Sequence, residues 1–182
     1  MKKQHTNRLS LIAILLVSVV PLILAILMYF MQWGVPSNRT NNGLLISPPA
    51  QWQDLNAQRM SEANYDDSNA NWTLLVQLNG ACDETCNTNL YTLRQVHLAL
   101  GKEAHRVKRS LIVASPDGME TITSEYPNMQ LVQITNADIL SQGDGIYVVD
   151  PLGNIMMFYA FEQIGKPMLK DIKKLLRTSN IG

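Results

Sequence analysis

Hydrophobic positions are unevenly spread along the chain, and the first hydrophobic run is the longest. Residues 9–31 contain no charged side chain and are rich in Leu, Ile and Val. At about 1.5 Å per helical residue, such a run can cross a hydrocarbon core of about 30 Å. The run is longer than the core of a secretory signal peptide, and no Ala-x-Ala-like cleavage site follows it. The pattern therefore favours an uncleaved transmembrane helix over residues 9–31.

The flanks of this run predict its orientation. Residues 1–8 include Lys2, Lys3 and Arg8. The positive-inside rule places such a basic end in the cytoplasm and sends the rest of the chain across the membrane. In a bacterium this arrangement is a single-pass protein of the inner membrane with its C-terminal domain in the periplasm.

Residues 32–67 have the composition of a linker, with scattered Pro, Asn and Gly and little periodicity. The stretch from Leu44 to Ile46, together with Trp52, is apolar enough to dock on a domain surface. We therefore expect a tether between the membrane and the domain that follows, with partial docking.

Alternating strand-like and helix-like patterns occupy residues 68–182. A long helical pattern begins near Asp83, a typical N-cap residue, and Pro167 begins a last helix. A short helix is expected over residues 136–140. Apolar runs predict five strands, at residues 72–78, 109–114, 129–134, 145–149 and 154–161. This order is typical of an α/β thioredoxin-like domain, a central mixed sheet flanked by helices.

The distribution of charge argues against one class of partner. The formal net charge of the 182 residues is zero, and the chain beyond its basic N-terminus is mildly acidic. No basic patch is visible, and such a domain has no general attraction for phosphate. The composition therefore argues against a nucleic-acid partner.

The only two cysteines, Cys82 and Cys86, are separated by three residues where a predicted strand gives way to a predicted helix. Two thiols so placed form a redox pair, a soft-metal site or a structural disulfide. In an oxidising compartment they become a disulfide unless a reductant or a metal intervenes. The small ring that such a disulfide closes would remove little chain entropy, which makes a purely structural role the weakest of the three.

Neighbouring residues act on the two thiols in opposite directions. A helix N-terminus stabilises a thiolate, which favours reactive cysteines. Asp83 and Glu84 lie between the thiols, and their negative charges raise thiol pKa values. This arrangement disfavours a strong general oxidant and fits a site that holds a cation between two thiolates.

For a metal, two thiolates suit Cu(I), with Zn(II) as the alternative. His97 lies eleven residues after Cys86, about 16 Å along the same helix. His105 lies beyond the end of that helix. The local sequence thus offers Cys82 and Cys86 as ligands and no obvious third.

Four features occur together in this chain. They are the N-terminal anchor, CxxxC at a strand–helix junction in GACDETCNTNLYTLRQVHLALGK, the long helix that follows, and the late stretch YVVDPLGNIMMFY before a Lys-rich helix. Together they resemble the Sco/SenC proteins, which are membrane-anchored, thioredoxin-like factors for the assembly of cytochrome c oxidase. The similarity spans roughly residues 70–178 and the anchor, and the first stretch is closer to a Sco-related group associated with haem-copper oxidases.

The resemblance implies copper handling through both cysteines and a distal histidine, with oxidase subunit II or another assembly factor as partner. Cys82 and Cys86 match the two cysteine positions. Gln142 lies near the expected place of the histidine, and Asn87 replaces a proline of the family pattern CPxxCP. These departures favour thiol–disulfide exchange, with transient Cu(I) binding, over Cu(II) binding.

In this interpretation, Cys82 is the attacking thiolate and Cys86 the resolving one. Two alternatives remain open. One is a general periplasmic thiol–disulfide oxidoreductase, and the other is a non-catalytic interaction module with a resting disulfide.

Overall fold

The computed structural model describes residues 2–31, 41–60, 71–80, 82–115 and 119–179, and it divides the chain into two compact units, 1–40 and 41–182. The first unit contains one helix, α1 (Lys2–Met31), with Pro21 inside it. Within the described residues, only the part of α1 from Arg8 to Met31 is long and apolar enough to cross a membrane. The predicted span therefore lies on a continuous helix.

A seven-stranded mixed sheet forms the centre of the second unit. In spatial order its strands run β1-β7-β6-β3-β4-β5-β2. Strands β3, β4 and β5 are parallel, whereas every other pair of neighbours is antiparallel. The strands are β1 (Leu44–Gln51), β2 (Gln58–Arg59), β3 (Trp72–Gln77), β4 (Val107–Ile112), β5 (Met129–Gln133), β6 (Gly145–Val149) and β7 (Asn154–Tyr159).

Three α-helices of this unit contribute to the core on one side of the sheet. They are α2 (Glu84–Leu98), α3 (Glu120–Glu125) and α4 (Lys166–Thr178). Apolar residues at helical spacing, such as Leu90 and Leu93 of α2, pack with Leu74 and Val76 of β3. Successive strand residues face opposite sides, so Leu75 belongs to a second cluster, with Leu55 from a short 3-10 helix, Trp52–Leu55. The predicted thioredoxin-like arrangement, a mixed sheet with helices packed on it, is confirmed.

Several predicted elements lie within a few residues of their expected places. Strand β6 matches its predicted bounds, and the predicted short helix over 136–140 is a 3-10 helix, Ala137–Ile139. Strand β4 begins at Val107, two residues earlier than predicted, and the charged residue that this adds, Lys108, is buried within the sheet. Charged side chains do not look like strand interior in a sequence, which explains the shift.

The expected linker, residues 32–67, is largely structured where it is described. Residues 41–60 contain β1 and β2, which pair with β7 and β5 at the two edges of the sheet. The parts of the expected linker at 32–40 and 61–67 lie outside the described residues. The second unit therefore begins near residue 41 rather than at the predicted residue 68.

A buried carboxylate holds the start of this segment. Asp171 of α4 is 3% exposed and accepts hydrogen bonds from the backbone amides of Asn42 and Gly43. The Tyr159 hydroxyl also donates to Asp171, at 2.9 Å. At Gly43 a Cβ atom would lie 2.6 Å from the Tyr159 ring, so only glycine allows this approach. These contacts hold Asn42 and Gly43 in place immediately before β1.

Candidate functional site

Cys82 and Cys86 form a disulfide, with their Cα atoms 5.1 Å apart. Cys82 lies in the loop between β3 and α2, and Cys86 lies in the first turn of α2. The structure therefore brings the two predicted site residues together. Their catalytic and metal-binding roles remain predictions.

Asp83 caps the helix that carries Cys86. Its Oδ1 accepts a hydrogen bond of 2.8 Å from the Cys86 amide, and its backbone carbonyl accepts one from the Asn87 amide. This is the N-cap arrangement that the sequence predicts. Asp83 and the adjacent Glu84 are both exposed. Two negative charges thus stand at the solvent side of the disulfide.

The two sulfur-bearing residues differ in exposure. Cys86 is 2% exposed and belongs to the core cluster, whereas Cys82 is only partly buried at the edge of that cluster. An attacking thiol or disulfide from solvent can therefore reach Cys82 while α2 shields Cys86. The order in which Cys82 exchanges and Cys86 resolves stays a prediction.

Asn87, one residue after the CxxxC motif, lies against the exposed sulfur. Its Oδ1 is 3.7 Å from Cys82 Sγ. The Tyr126 hydroxyl donates a hydrogen bond of 3.4 Å to the backbone carbonyl of Asn87. Burial raises the pKa of Tyr126, and the charge of Glu125 adds to the shift, so the phenol stays protonated as a donor. The polar side chain of Asn87 therefore contacts Cys82, at the position where the Sco/SenC pattern has a proline.

A cavity of about 660 Å³ opens beside Cys82. It lies where the parallel strands β3, β4 and β5 end, and its lining includes Gln77, Val113, Met119 and Ile134. The carboxyl ends of parallel strands are the usual place for ligands in open α/β sheets. The sequence analysis missed this cavity because it depends on where three strands end relative to one another. Gln77, a polar residue closing the apolar run of β3, was the one available signal.

The histidines do not complete a metal site in the described part of the chain. His97 Nε2 lies 3.0 Å from the Ala104 carbonyl and 2.8 Å from that of Val107. Burial lowers its pKa, so this histidine is a neutral, packed side chain that joins the end of α2 to the start of β4. His105 is exposed and contacts the Lys102 carbonyl.

Gln142 contributes no ligand to the disulfide region either. Its backbone amide donates a hydrogen bond of 3.1 Å to the Tyr147 hydroxyl, and its side-chain amide donates one of 3.4 Å to Ser141 Oγ. Across the described ranges, no group of three or more His, Cys, Asp and Glu side chains could hold a metal ion. When reduced, the site offers two sulfurs, a donor set that fits low-coordinate Cu(I).

Comparison with known protein families gives two matches. A family model described as "Transmembrane-like, thioredoxin-like, C-terminal domain" matches residues 72–179, and one described as "Transmembrane-like, N-terminal domain" matches residues 2–32. No curated protein matches the chain.

Solved structures of Sco proteins are similar to this chain at low identity. Bradyrhizobium japonicum ScoI, described with copper bound, is 18% identical, with a TM-score of 0.44 over 60% of this chain and 85% of that chain. Arabidopsis thaliana ScoI, also with copper bound, is 15% identical, with a TM-score of 0.44 over 58% and 86%. BsSco, a member of the Sco family of cytochrome c oxidase assembly proteins described as having a disulfide switch, is 10% identical, with a TM-score of 0.49 over 73% and 96%.

Proposed function

The chain belongs to the transmembrane-like, thioredoxin-like family, and from this premise we propose that it is a membrane-anchored thiol–disulfide exchange factor for the assembly of a respiratory haem-copper oxidase. Cys82 and Cys86 are the exchanging pair. One observation carries the proposal: Cys82 is partly exposed in the disulfide, whereas Cys86 is buried.

The exchange begins from the reduced pair. The Cys82 thiolate attacks a disulfide of the partner protein, and one partner sulfur leaves as a thiolate while the other stays bonded to Cys82. The Cys86 thiolate then attacks the Cys82 sulfur, which forms the Cys82–Cys86 bond and releases the second partner sulfur. The partner disulfide gains two electrons and the pair loses two. A dithiol reductant on the same side of the membrane must then reduce the pair again.

The two acidic residues set the direction of this reaction. Asp83 and Glu84 disfavour thiolates beside them, so they destabilise the reduced pair relative to the disulfide. A pair that prefers to be oxidised is a reductant toward its partner. Reduction of a partner, rather than oxidation of many exported proteins, is therefore the role that the charges support.

The oxidase assignment and the compartment come from the sequence. The resemblance of the CxxxC stretch and of YVVDPLGNIMMFY to the Sco/SenC proteins supports a haem-copper oxidase subunit, or another assembly factor, as the partner. The basic N-terminus before α1 supports a cytoplasmic start and a C-terminal unit in the periplasm.

Transient Cu(I) transfer is a second function of the same site. The donor set supports it, because two thiolates hold Cu(I) without a third ligand, whereas Cu(II) also requires nitrogen donors. Titration of Cu(I) against a competing chelator tests it. One-to-one binding to the reduced protein that is lost when both cysteines become serine supports transfer, and binding that is independent of the cysteines refutes it.

Trapping in cells tests the exchange function. We expect Cys86→Ser to accumulate a mixed disulfide between Cys82 and a partner, because no resolving thiol remains. Cys82→Ser is the matched control and should trap no partner by this route. After thiols are blocked, non-reducing electrophoresis and mass spectrometry identify what is bound.

The identity of the trapped proteins separates the candidates. An oxidase subunit or assembly factor as the main partner, with lost oxidase activity in the double serine variant, supports the proposal. Many unrelated exported proteins would indicate a general oxidoreductase. Normal oxidase activity in the double variant without any trapped partner would leave only an interaction module.

A further inference from the structure

The cavity beside Cys82 is formed by the separation of two parallel strands. The pairing of β3 with β4 ends at Val76 and Leu111, and residues that follow each of these two strands line the cavity. Gln133, Ile134 and Ala137 close its far side. A volume of about 660 Å³ falls within the range of ligand sites. The exchanging sulfur thus adjoins a space large enough for several side chains of a partner.

The lining of this cavity carries no ionisable side chain among the described residues that form it, apart from Cys82 itself. Aliphatic groups predominate, with a few amide and hydroxyl groups between them. A charged group that entered would lose its hydration without gaining an opposite charge. The described part of the lining therefore favours uncharged occupants over acidic and basic groups.

Gln77 points to a hydrogen-bonding occupant. This residue is only 7% exposed, and it lines the cavity. Its Oε1 has no hydrogen-bond partner within the described residues. A buried carbonyl oxygen without a donor is unfavourable and rare in folded proteins. A backbone N–H of a bound chain is the donor that this position lacks.

We propose that this cavity binds an extended, uncharged polypeptide segment of the partner next to its reactive cysteine, with Gln77 accepting a hydrogen bond from the segment's backbone. The inference rests on the proposed function and specifies its substrate: a disulfide flanked by apolar and small residues. The segment places the partner sulfur in front of Cys82 Sγ for attack. Selectivity thus comes from the residues around the partner cysteine.

The test uses the full chain in detergent with Cys86→Ser, so that Cys82 is the only thiol. Short peptides with a central cysteine are activated as mixed disulfides with thionitrobenzoate. The Cys82 thiolate attacks the peptide sulfur, the peptide–thionitrobenzoate bond breaks, and the coloured thiolate that leaves is measured. Three peptides differ only in the residues that flank the cysteine. The flanks of the first contain Leu, Val, Ser and Gly. The second has two Glu added to these flanks, and the third has two Lys added.

We expect the uncharged peptide to react with saturation and about tenfold faster than both charged peptides at low concentration. Ala137→Trp adds bulk at an exposed lining residue and should remove this preference, whereas Thr135→Trp, exposed in the same loop but outside the lining, should keep it. Gln77→Leu should weaken binding of the uncharged peptide about fivefold.

Three results overturn the proposal. Equal rates for the three peptides, or no effect of Ala137→Trp, exclude binding in the cavity. A Lys peptide that reacts fastest and a Glu peptide that reacts slowest indicate steering by Asp83 and Glu84 on the surface instead.

Failure of the exchange function has a different signature. In that case Cys82 does not react even with dithiobis(nitrobenzoate), a small aromatic disulfide that does not need the cavity. The cavity is then tested without sulfur chemistry, by fluorescence anisotropy of the same labelled peptides with Ser in place of Cys. Preferential binding of the uncharged peptide supports the site, and its absence refutes it.

Discussion

The Cys86 amide donates a hydrogen bond of 2.8 Å to the Asp83 carboxylate, so the residue that caps the helix also places a negative charge beside the disulfide. The cap stabilises the helix start, and the charge opposes thiolate formation. The two effects can be separated by substitution.

Asp83→Asn should keep the cap and remove the charge. Asn caps helices about as well as Asp, so stability should change little, while Asp83→Ala should lose about 1 kcal/mol. In both variants the reduction potential of Cys82–Cys86 should rise by about 10–30 mV, because the thiolates lose a repelling neighbour. Thermal unfolding and equilibration with a glutathione or dithiothreitol buffer measure the two quantities.

Glu84→Gln provides the control for charge alone. It should raise the potential in the same direction without affecting the cap, since the Cys86 amide contacts Asp83. If Asp83→Asn lowered the potential, the electrostatic explanation would be wrong.

Asp171 should be a key residue for the docking of β1. Asp171→Ala removes the acceptor of four donors, which are the backbone and side-chain amides of Asn42, the Gly43 amide and the Tyr159 hydroxyl, and this should cost about 2–4 kcal/mol. Hydrogen exchange in residues 44–51 should accelerate before that in β3. Chemical unfolding and exchange mass spectrometry measure these effects.

Tyr159→Phe is the milder counterpart, because it removes one donor and leaves the Asn42 and Gly43 contacts to Asp171 in place. It should cost about 1–2 kcal/mol and leave exchange in β1 slow. Equal effects of the two substitutions would show that the backbone contacts of residues 42 and 43 contribute nothing.

Gln77→Leu should stabilise the protein while weakening substrate binding. Replacement of a buried, unsatisfied amide oxygen with an apolar group of similar size should raise the free energy of unfolding by about 1 kcal/mol. Gln130→Leu is the contrasting variant, since the Gln130 oxygen accepts from Ser110 Oγ at 3.5 Å, and it should not stabilise. A loss of stability in Gln77→Leu, measured by thermal unfolding, would mean that the amide has a structural role.

His97 should make stability depend on pH. Burial lowers its pKa below the usual 6.5, so between these two values the unfolded chain binds more protons than the folded one. Stability should therefore be full above about pH 6.5 and should fall as the pH decreases toward the lowered pKa. His97→Gln should flatten this dependence in thermal unfolding, while His105→Gln, at an exposed position, should retain it.

The sequence was sufficient for elements whose signal is local. The apolar run of β3, the Asp83 cap and the hydrophobic spacing of α2 each depend on neighbouring residues, and all three appear where predicted. The same holds for the cysteine pair, because three intervening residues at a helix start bring the sulfurs within bonding distance.

Other features depend on partners far away in the chain. Strand β1 contains Pro48 and Pro49 and resembles a linker, yet it pairs with β7 more than 100 residues later. The two residues of β2 form a strand because they pair with β5. The cavity beside Cys82 likewise arises from the relative ends of β3, β4 and β5, and no local pattern encodes those ends.

Strand β1 also decides how another protein can approach the sheet. It lies at one margin, and its adjacent residues Pro48 and Pro49 have no amide hydrogen to offer a further strand. The opposite margin is β2, which is only two residues long. Growth of the sheet by edge-to-edge association is therefore discouraged at both of its margins.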